Sequence, residues 1–277
     1  MSRLMLDLAL ARRIELAEAR AAAGAAAALM RLRPDAGVAV AEIAGGYAVY
    51  CGANSPVTQA VGLGLDGPVS EEEFDHLEEF YRSRKEPARV ETCPLADASL
   101  IEQCGKRCYR VTEFTNVMAR SVSESDTASA PQSSSTGVTI ERVAAENIDL
   151  LTLTVSQGFA EHFPVTQEIL GVMRAFASAD HVECYLARWN GSVAGGGIVI
   201  VRDGIAGLFG ASTLAGFRNR GVQTALLKTR MARAAESGCD LAVCLAQPGS
   251  TSQRNVVRQG FTVLYTRVKF ERDFAAG

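Results

Sequence analysis

The sequence predicts an α/β (α+β) fold made of two tandem domains, each a mixed, mostly antiparallel sheet flanked by helices. Three observations carry that expectation. The segment Ser121–Gly137 offers almost nothing to a core, and so reads as a flexible linker between residues 1–120 and 138–277. After it, strand-like and helix-like stretches alternate, with Asn190-Gly191 and Asp203-Gly204 supplying tight turns for two consecutive hairpins. Before it, the residues repeat the later part of that order, which at this period suggests a duplication.

In the second half, residues 138–143 read as a strand, and 145–159 and 167–177 as helices. Residues 182–189, 192–202 and 205–213 read as antiparallel strands joined by the two hairpin dipeptides. A long helix over 221–237, a strand over 241–246, a short helix near 252–258 and a strand over 261–270 complete it. In the first half, an alanine-rich helix near Arg12–Leu32 precedes strands over 47–51 and 59–65. A helix over 70–84, a strand over 88–93, a short helix over 98–107 and a strand over 109–119 follow. Trp189, ahead of Asn190-Gly191, reads as a strand-end packing residue.

Composition removes several function classes. Of 277 residues, 48% are hydrophobic and 21% charged, so each half can bury a core. A net charge of −3 leaves no broad nucleic-acid surface, and any anion site must be local. Asp7, Arg12, Arg13 and Glu15 interrupt any signal-peptide core, and the uncharged run Ile43–Leu65 is broken by Gly45, Gly46, Gly52 and Pro56. The reading is a cytoplasmic protein without membrane partners. Seven irregularly spaced cysteines, with no CxxC pair, point to reduced thiols and no metal site.

The segment from Phe217 to Leu227 carries the chemistry. Arg218 and Arg220 flank a turn ending in Gly221, and a long amphipathic helix starts at once. A helix opening leaves backbone N–H groups without intrahelical partners, and its dipole favours negative charge there. Gly221 lets that backbone approach phosphate oxygens closely, so the turn reads as a pyrophosphate seat. The corresponding place in the first half holds Ser70-Glu71-Glu72-Glu73, a capping box whose carboxylates occupy the helix opening and repel phosphate.

Arg218-x-x-Gly221-x-Gln223, after a strand and opening a helix, resembles the acetyl-CoA pyrophosphate motif of the GCN5-related N-acetyltransferases, the GNAT superfamily. Gln223 departs from the small residue usual at the last position. The resemblance covers residues 138–277 in element order and residues 37–120 more weakly, with Arg258-Gln259-Gly260-Phe261 at the expected distance after the motif. It implies a tandem member with a degenerate N-terminal domain and a second domain that binds acetyl-CoA as cosubstrate.

The resemblance also implies roles. Amides of Arg220, Gly221, Val222, Gln223 and Thr224 would cradle the pyrophosphate, with Arg218 and Arg220 adding bonds of roughly 1.5–3 kcal/mol each. Ala211, Ser212 and Thr213 would pair with the pantetheine arm and lend an N–H to the thioester carbonyl. Ser252 or Asn255 could touch the cofactor beyond the thioester. Direct transfer to an amine requires a base, an oxyanion donor and an acid for the leaving thiolate. Many relatives place the acid as a tyrosine four residues before the Gly-Phe pair, where this chain has Val256. Tyr265, alternating with Val263 and Arg267 on one strand face, is the nearby phenol, with Ser250 and Ser252 as weaker candidates. Base candidates are Glu161 and His162, between the two helices expected to line the acceptor pocket, and Glu183 on a central strand.

The expectation is therefore an acyl-CoA-dependent N-acetyltransferase acting on a small-molecule or peptide amine. Its first domain would shape the acceptor pocket or a homodimer surface. Transfer of a longer acyl or an aminoacyl group, and an acyl-CoA sensor without turnover, stand as alternatives.

Overall fold

The described residues of this computed structural model, 4–53, 55–129, 137–160 and 164–274, fall into two units. The first comprises Met1–Met118 with Leu245–Gly277, and the second Ala119–Cys244. Chain order in the first half is α1 Leu8–Leu32, β1 Ala39–Ile43, β2 Gly46–Tyr50, β3 Gln59–Val61, α2 Glu71–Arg82, β4 Ala88–Thr92, α3 Ala98–Lys106 and β5 Arg110–Ser121. The rest is β6 Val138–Arg142, α4 Ile148–Gly158, α5 Gln167–Ala177, β7 Val182–Trp189, β8 Ser192–Arg202, β9 Ile205–Thr213, α6 Val222–Glu236, β10 Leu241–Ala246, α7 Thr251–Val257 and β11 Thr262–Arg272.

The element order of β1 to β5 recurs from β7 to β11: three strands, helix, strand, short helix, strand. In each copy the third and fourth strands are parallel, pairing Ala60 with Val90 and Ile205 with Leu241. A strand–helix–strand crossover produces such a parallel pair. The sequence assigns α7 and β11 to the second half, whereas the structure groups them with the first unit. There β11 runs antiparallel to β4, pairing Val268 with Thr92 and Phe270 with Val90. Strand order in the first unit is β1-β2-β3-β4-β11-β5. In the second unit it is β10-β9-β8-β7-β6.

Helix α1 starts at Asp7, whose side chain accepts the Leu10 N–H at 2.8 Å. Its alanines 11, 19, 25, 26 and 28 are buried. Small side chains bring the helix close to the sheet, and a Cβ on Gly62 would sit 3.3 Å from that of Ala19. The core beneath α2 gathers Phe74, Leu77, Tyr81, Val90 and Leu100. Phe74 meets Tyr109 edge-on at 5.5 Å.

In the second unit the hairpin turns form as expected. Asn190, Gly191, Asp203 and Gly204 all take positive φ, the geometry of the two-residue turns that match strand twist. The run Gly195-Gly196-Gly197 lies on β8 where both sheet faces are crowded. A Cβ on Gly196 would meet Leu151 of α4 at 2.6 Å, and one on Gly197 would meet the Arg230 guanidinium of α6 at 3.2 Å. Successive strand residues point to opposite faces, so α4 and α6 cover opposite sides of this sheet. Glu124–Ser129, inside the segment read as a linker, is a 3-10 helix packed against α6. Its Asp126 is buried and paired with Arg120. Residues 130–136 of that segment lie outside the described residues.

Candidate functional site

The end of β9 passes through a 3-10 turn, Ala215–Phe217, into α6. Leu214 N–H donates to Ala194 C=O at 2.9 Å, and Phe217 N–H donates to Leu214 C=O at 2.9 Å, fixing the way out of the strand. Asn219 (φ 62) and Gly221 (φ 81) are both left-handed, a conformation that Asn and Gly tolerate best. Backbone kinked in this way gathers successive N–H groups into a concavity suited to anions. The first intrahelical bond runs from Ala225 N–H to Gly221 C=O at 2.9 Å, so the amides of residues 222–224 precede the helical ladder. Gly221 caps the helix without a side-chain bond, and the first turn carries no acid.

The opening of α2 is built oppositely. Ser70 accepts the Glu73 N–H at 3.2 Å while Glu73 accepts the Ser70 N–H at 2.8 Å, a complete capping box. Glu71 and Glu72 stand in the same first turn. Both helices follow the third strand of their repeat, yet only α6 begins bare and cationic.

Arg218 and Arg220 are exposed. The Arg220 guanidinium lies over the Trp189 ring at 4.0 Å and 5.9 Å from the Phe217 ring. Trp189 therefore serves as a platform for a turn arginine, in addition to ending β7. Its distance from Arg220 along the chain hides that role from sequence periodicity.

The strand end next to the turn is irregular. β8 and β9 pair Gly195 with Thr213 and Gly196 with Ser212, then slip so that Ile198 faces Phe209. Ala211 is half-buried, and Ser212 turns inward, its hydroxyl donating to Val155 C=O at 3.0 Å. The Thr213 hydroxyl oxygen is buried without a hydrogen-bond partner.

The catalytic candidates are placed less favourably. Glu161 and His162 lie outside the described residues. Glu183 on β7 is held by Arg233 at 2.6 Å, by Arg142 at 3.3 Å and by the Tyr185 hydroxyl at 3.0 Å. All three of these donors belong to the protein's own side chains. Tyr265 on β11 is buried in the first unit and donates its hydroxyl to Glu15 at 2.7 Å. Burial and the Glu15 carboxylate push that phenol well above its ordinary range, the wrong direction for an acid at neutral pH. Ser252 and Asn255 stand on α7, also in the first unit, with Asn255 accepting from Arg258 at 3.1 Å. Ser250 caps α7, accepting the Gln253 N–H at 3.1 Å, and Val256 is buried. The structure thus brings residues 211–213 and 218–224 together in one unit and leaves Tyr265, Ser252 and Asn255 in the other.

Among the described residues, no group of three or more His, Cys, Asp or Glu is placed to hold a metal ion. None of their helices is long and apolar enough to cross a membrane.

Residues 148–261 match the family described as the acetyltransferase (GNAT) family. Over this stretch the chain is similar in sequence to that family. No curated protein sequence matches the chain. A GCN5-related N-acetyltransferase from Kribbella flavida aligns with TM-score 0.62 at 16% identity, covering 91% of this chain and 94% of that one. A GCN5-related N-acetyltransferase from Sphaerobacter thermophilus gives 0.56 at 16%, covering 73% and 67%. A tandem GNAT protein from the clavulanic acid biosynthesis pathway gives 0.55 at 12%, covering 73% and 69%. At such identities the likeness is one of fold. The GNAT match runs from α4 to Phe261 and so contains the β8–β9 slip, the turn at Gly221 and the whole of α6.

Proposed function

We propose that the chain is an acyl-CoA-dependent N-acyltransferase that moves an acetyl or similar short acyl group to an amine by direct attack. One observation carries the reading: α6 opens at a left-handed glycine with no side-chain cap and no acid, directly after two exposed arginines. The residues present fit a diphosphate-bearing thioester. The bare first turn suits the diphosphate, and the orphaned Thr213 hydroxyl is a polar atom at the strand end that a pantetheine amide would satisfy. Arg220–Thr224 would hold the diphosphate and Ala211–Thr213 the arm. In the transfer, the amine nitrogen forms a bond to the acyl carbon, the carbon–sulfur bond breaks, and the thiolate takes up a proton. The capping box at α2 supports a first repeat without a cofactor seat, leaving it to shape the acceptor pocket or a homodimer surface.

The deciding experiment is calorimetry with acetyl-CoA on the wild-type protein and on the Arg218→Glu, Arg220→Glu double variant. Two charge-assisted contacts become repulsions, so affinity should fall by about a hundredfold or more. Unchanged affinity in a folded variant would overturn the site.

A second reading, an acyl-CoA sensor without turnover, is favoured by the engagement of Tyr265 with Glu15 and of Glu183 with its three donors. Thiol release from acetyl-CoA with a panel of amines separates the two readings. Tight binding with no release against any acceptor selects the sensor.

A further inference from the structure

Arg230 projects from α6 into the sheet and is only 3% exposed. Its partners are backbone carbonyls rather than carboxylates. Nε donates to Leu226 C=O at 3.1 Å, while Nη1 donates to Ile198 C=O at 3.2 Å and to Phe209 C=O at 3.5 Å. Among the described residues no acid pairs with it. A buried guanidinium without a counter-ion is costly, and burial drives its pKa down from the usual value to about 10.

The position of those carbonyls gives the cost a purpose. Between the pairs Gly196–Ser212 and Ile198–Phe209, β8 contributes one residue, Gly197, and β9 contributes two, Gly210 and Ala211. This is a β-bulge, with Gly210 left-handed at φ 52. A bulge bends its strand and leaves backbone groups outside the ladder, and buried carbonyls need donors. Ile198 and Phe209, the two residues that bound the bulge on one side, are the ones Arg230 grips across the strand pair. Gly197 completes the fit, because a Cβ there would press on the guanidinium carbon at 3.2 Å. The absence of a side chain at Gly197 thus leaves room for the guanidinium beneath the strand.

We propose that Arg230 is the positioning residue for acyl transfer: it pins the β9 bulge and thereby aims the strand end Ala211–Thr213. The proposal rests on the acyltransferase reading above for what that strand end contacts, but the pinning itself does not. Without the guanidinium, the Ile198 and Phe209 carbonyls each lose a donor and the strand can slide toward regular pairing. A one-residue slip turns every following side chain to the other face and every amide to the opposite strand edge. The pyrophosphate turn opens the same helix, α6, but the bond that starts it, Ala225 N–H to Gly221 C=O, does not involve the Arg230 side chain. Arg230 therefore controls the pantetheine half of the ligand and leaves the nucleotide half alone.

Arg230→Met keeps the bulk and removes every donor; Arg230→Lys keeps the charge and retains a donor, and serves if the first variant does not fold. Hydrogen exchange on ligand-free protein should show residues 207–213 exchanging about tenfold faster in either variant, with β7 unchanged. Calorimetry should show coenzyme A bound about tenfold more weakly by Arg230→Met, Arg230→Lys lying between, and adenosine 3′,5′-bisphosphate unaltered within about threefold. Unchanged exchange over 207–213, or equal weakening of both ligands, overturns the proposal. Failure of the wild-type protein to bind either ligand sinks the acyltransferase reading instead, while the exchange comparison still decides whether Arg230 holds the bulge.

Discussion

Tyr265 and Glu15 meet in the core of the first unit, 250 residues apart in the chain, with the phenol donating to the carboxylate at 2.7 Å. Arg267, two residues along the same strand face, donates to the same Glu15 oxygen at 2.7 Å and pairs with Glu18 at 2.6 Å. Helix α1 is thus fastened to β11 by a buried ionic cluster. A tyrosine used in this way is structural. Tyr265→Phe should lower stability by about 1–3 kcal/mol, the cost of leaving a charged acceptor one donor short. Its kcat for acyl transfer, measured on folded protein, should stay within about twofold of wild type. A fall of a hundredfold or more at unchanged stability would restore the phenol as a catalytic acid.

The same cluster makes stability depend on pH. Glu18 sits between Glu15, Glu91 and Arg267, and burial outweighs the arginine to raise its pKa from 4.5 to about 7. The folded state therefore holds a proton that the unfolded chain has released over this interval. The resulting stabilisation is fully present below pH 4.5 and is lost as pH rises through about 7. At about 1.4 kcal/mol per unit, the span corresponds to at most about 3 kcal/mol. Urea unfolding at pH 5 and pH 8 should show the loss, and Glu18→Gln should flatten it. Equal slopes in both proteins would remove Glu18 as the cause.

Much of the second unit is legible in the sequence because its signals are local. Asn190-Gly191 and Asp203-Gly204 specify turns through positive φ, and the three strands around them fall where alternation and turn residues put them. The opening of α6 is readable for the same reason, since Gly221 and the flanking arginines lie within a few residues of one another. β1 escapes notice because Ala39 and Ala41 blunt its alternation, although Gly45 and Gly46 mark the turn that follows. Partnerships between distant segments carry no periodic signal. The pairing of β11 with β4, the stack of Arg220 on Trp189 and the grip of Arg230 on β8 and β9 all depend on tertiary placement. The partners of Tyr265 and Glu183 are hidden for the same reason, since Glu15 and Arg233 come from distant segments.

Cysteine chemistry should be confined to one position. Cys108 is exposed, while Cys51, Cys93, Cys104, Cys184, Cys239 and Cys244 are buried. Burial pushes the Cys104 and Cys244 thiols up to about 12 and that of Cys93 to about 11, far from thiolate at neutral pH. Titration with a thiol reagent should give about one fast equivalent in native protein and all seven after denaturation. Cys108→Ser should abolish the fast phase. Two or more fast thiols in the wild-type protein would show that the buried set opens readily.

Trp189 is expected to tune ligand affinity without touching the backbone of the turn. Its ring faces the Arg220 guanidinium at 4.0 Å, and a cation over an indole at a partly exposed site is held by about 0.5–1 kcal/mol. The stack restricts the arginine beside Gly221 before any anion arrives, so less side-chain freedom is lost on binding. Trp189→Leu removes the aromatic face while keeping an apolar strand end. Coenzyme A should then bind about two- to fivefold more weakly, with the same loss for adenosine 3′,5′-bisphosphate because the effect lies at the phosphate turn. Salt dependence of binding should persist, since both arginines are still present. Wild-type affinity in Trp189→Leu would mean that Arg220 needs no platform, and loss of salt dependence would mean that the arginine had left the turn altogether.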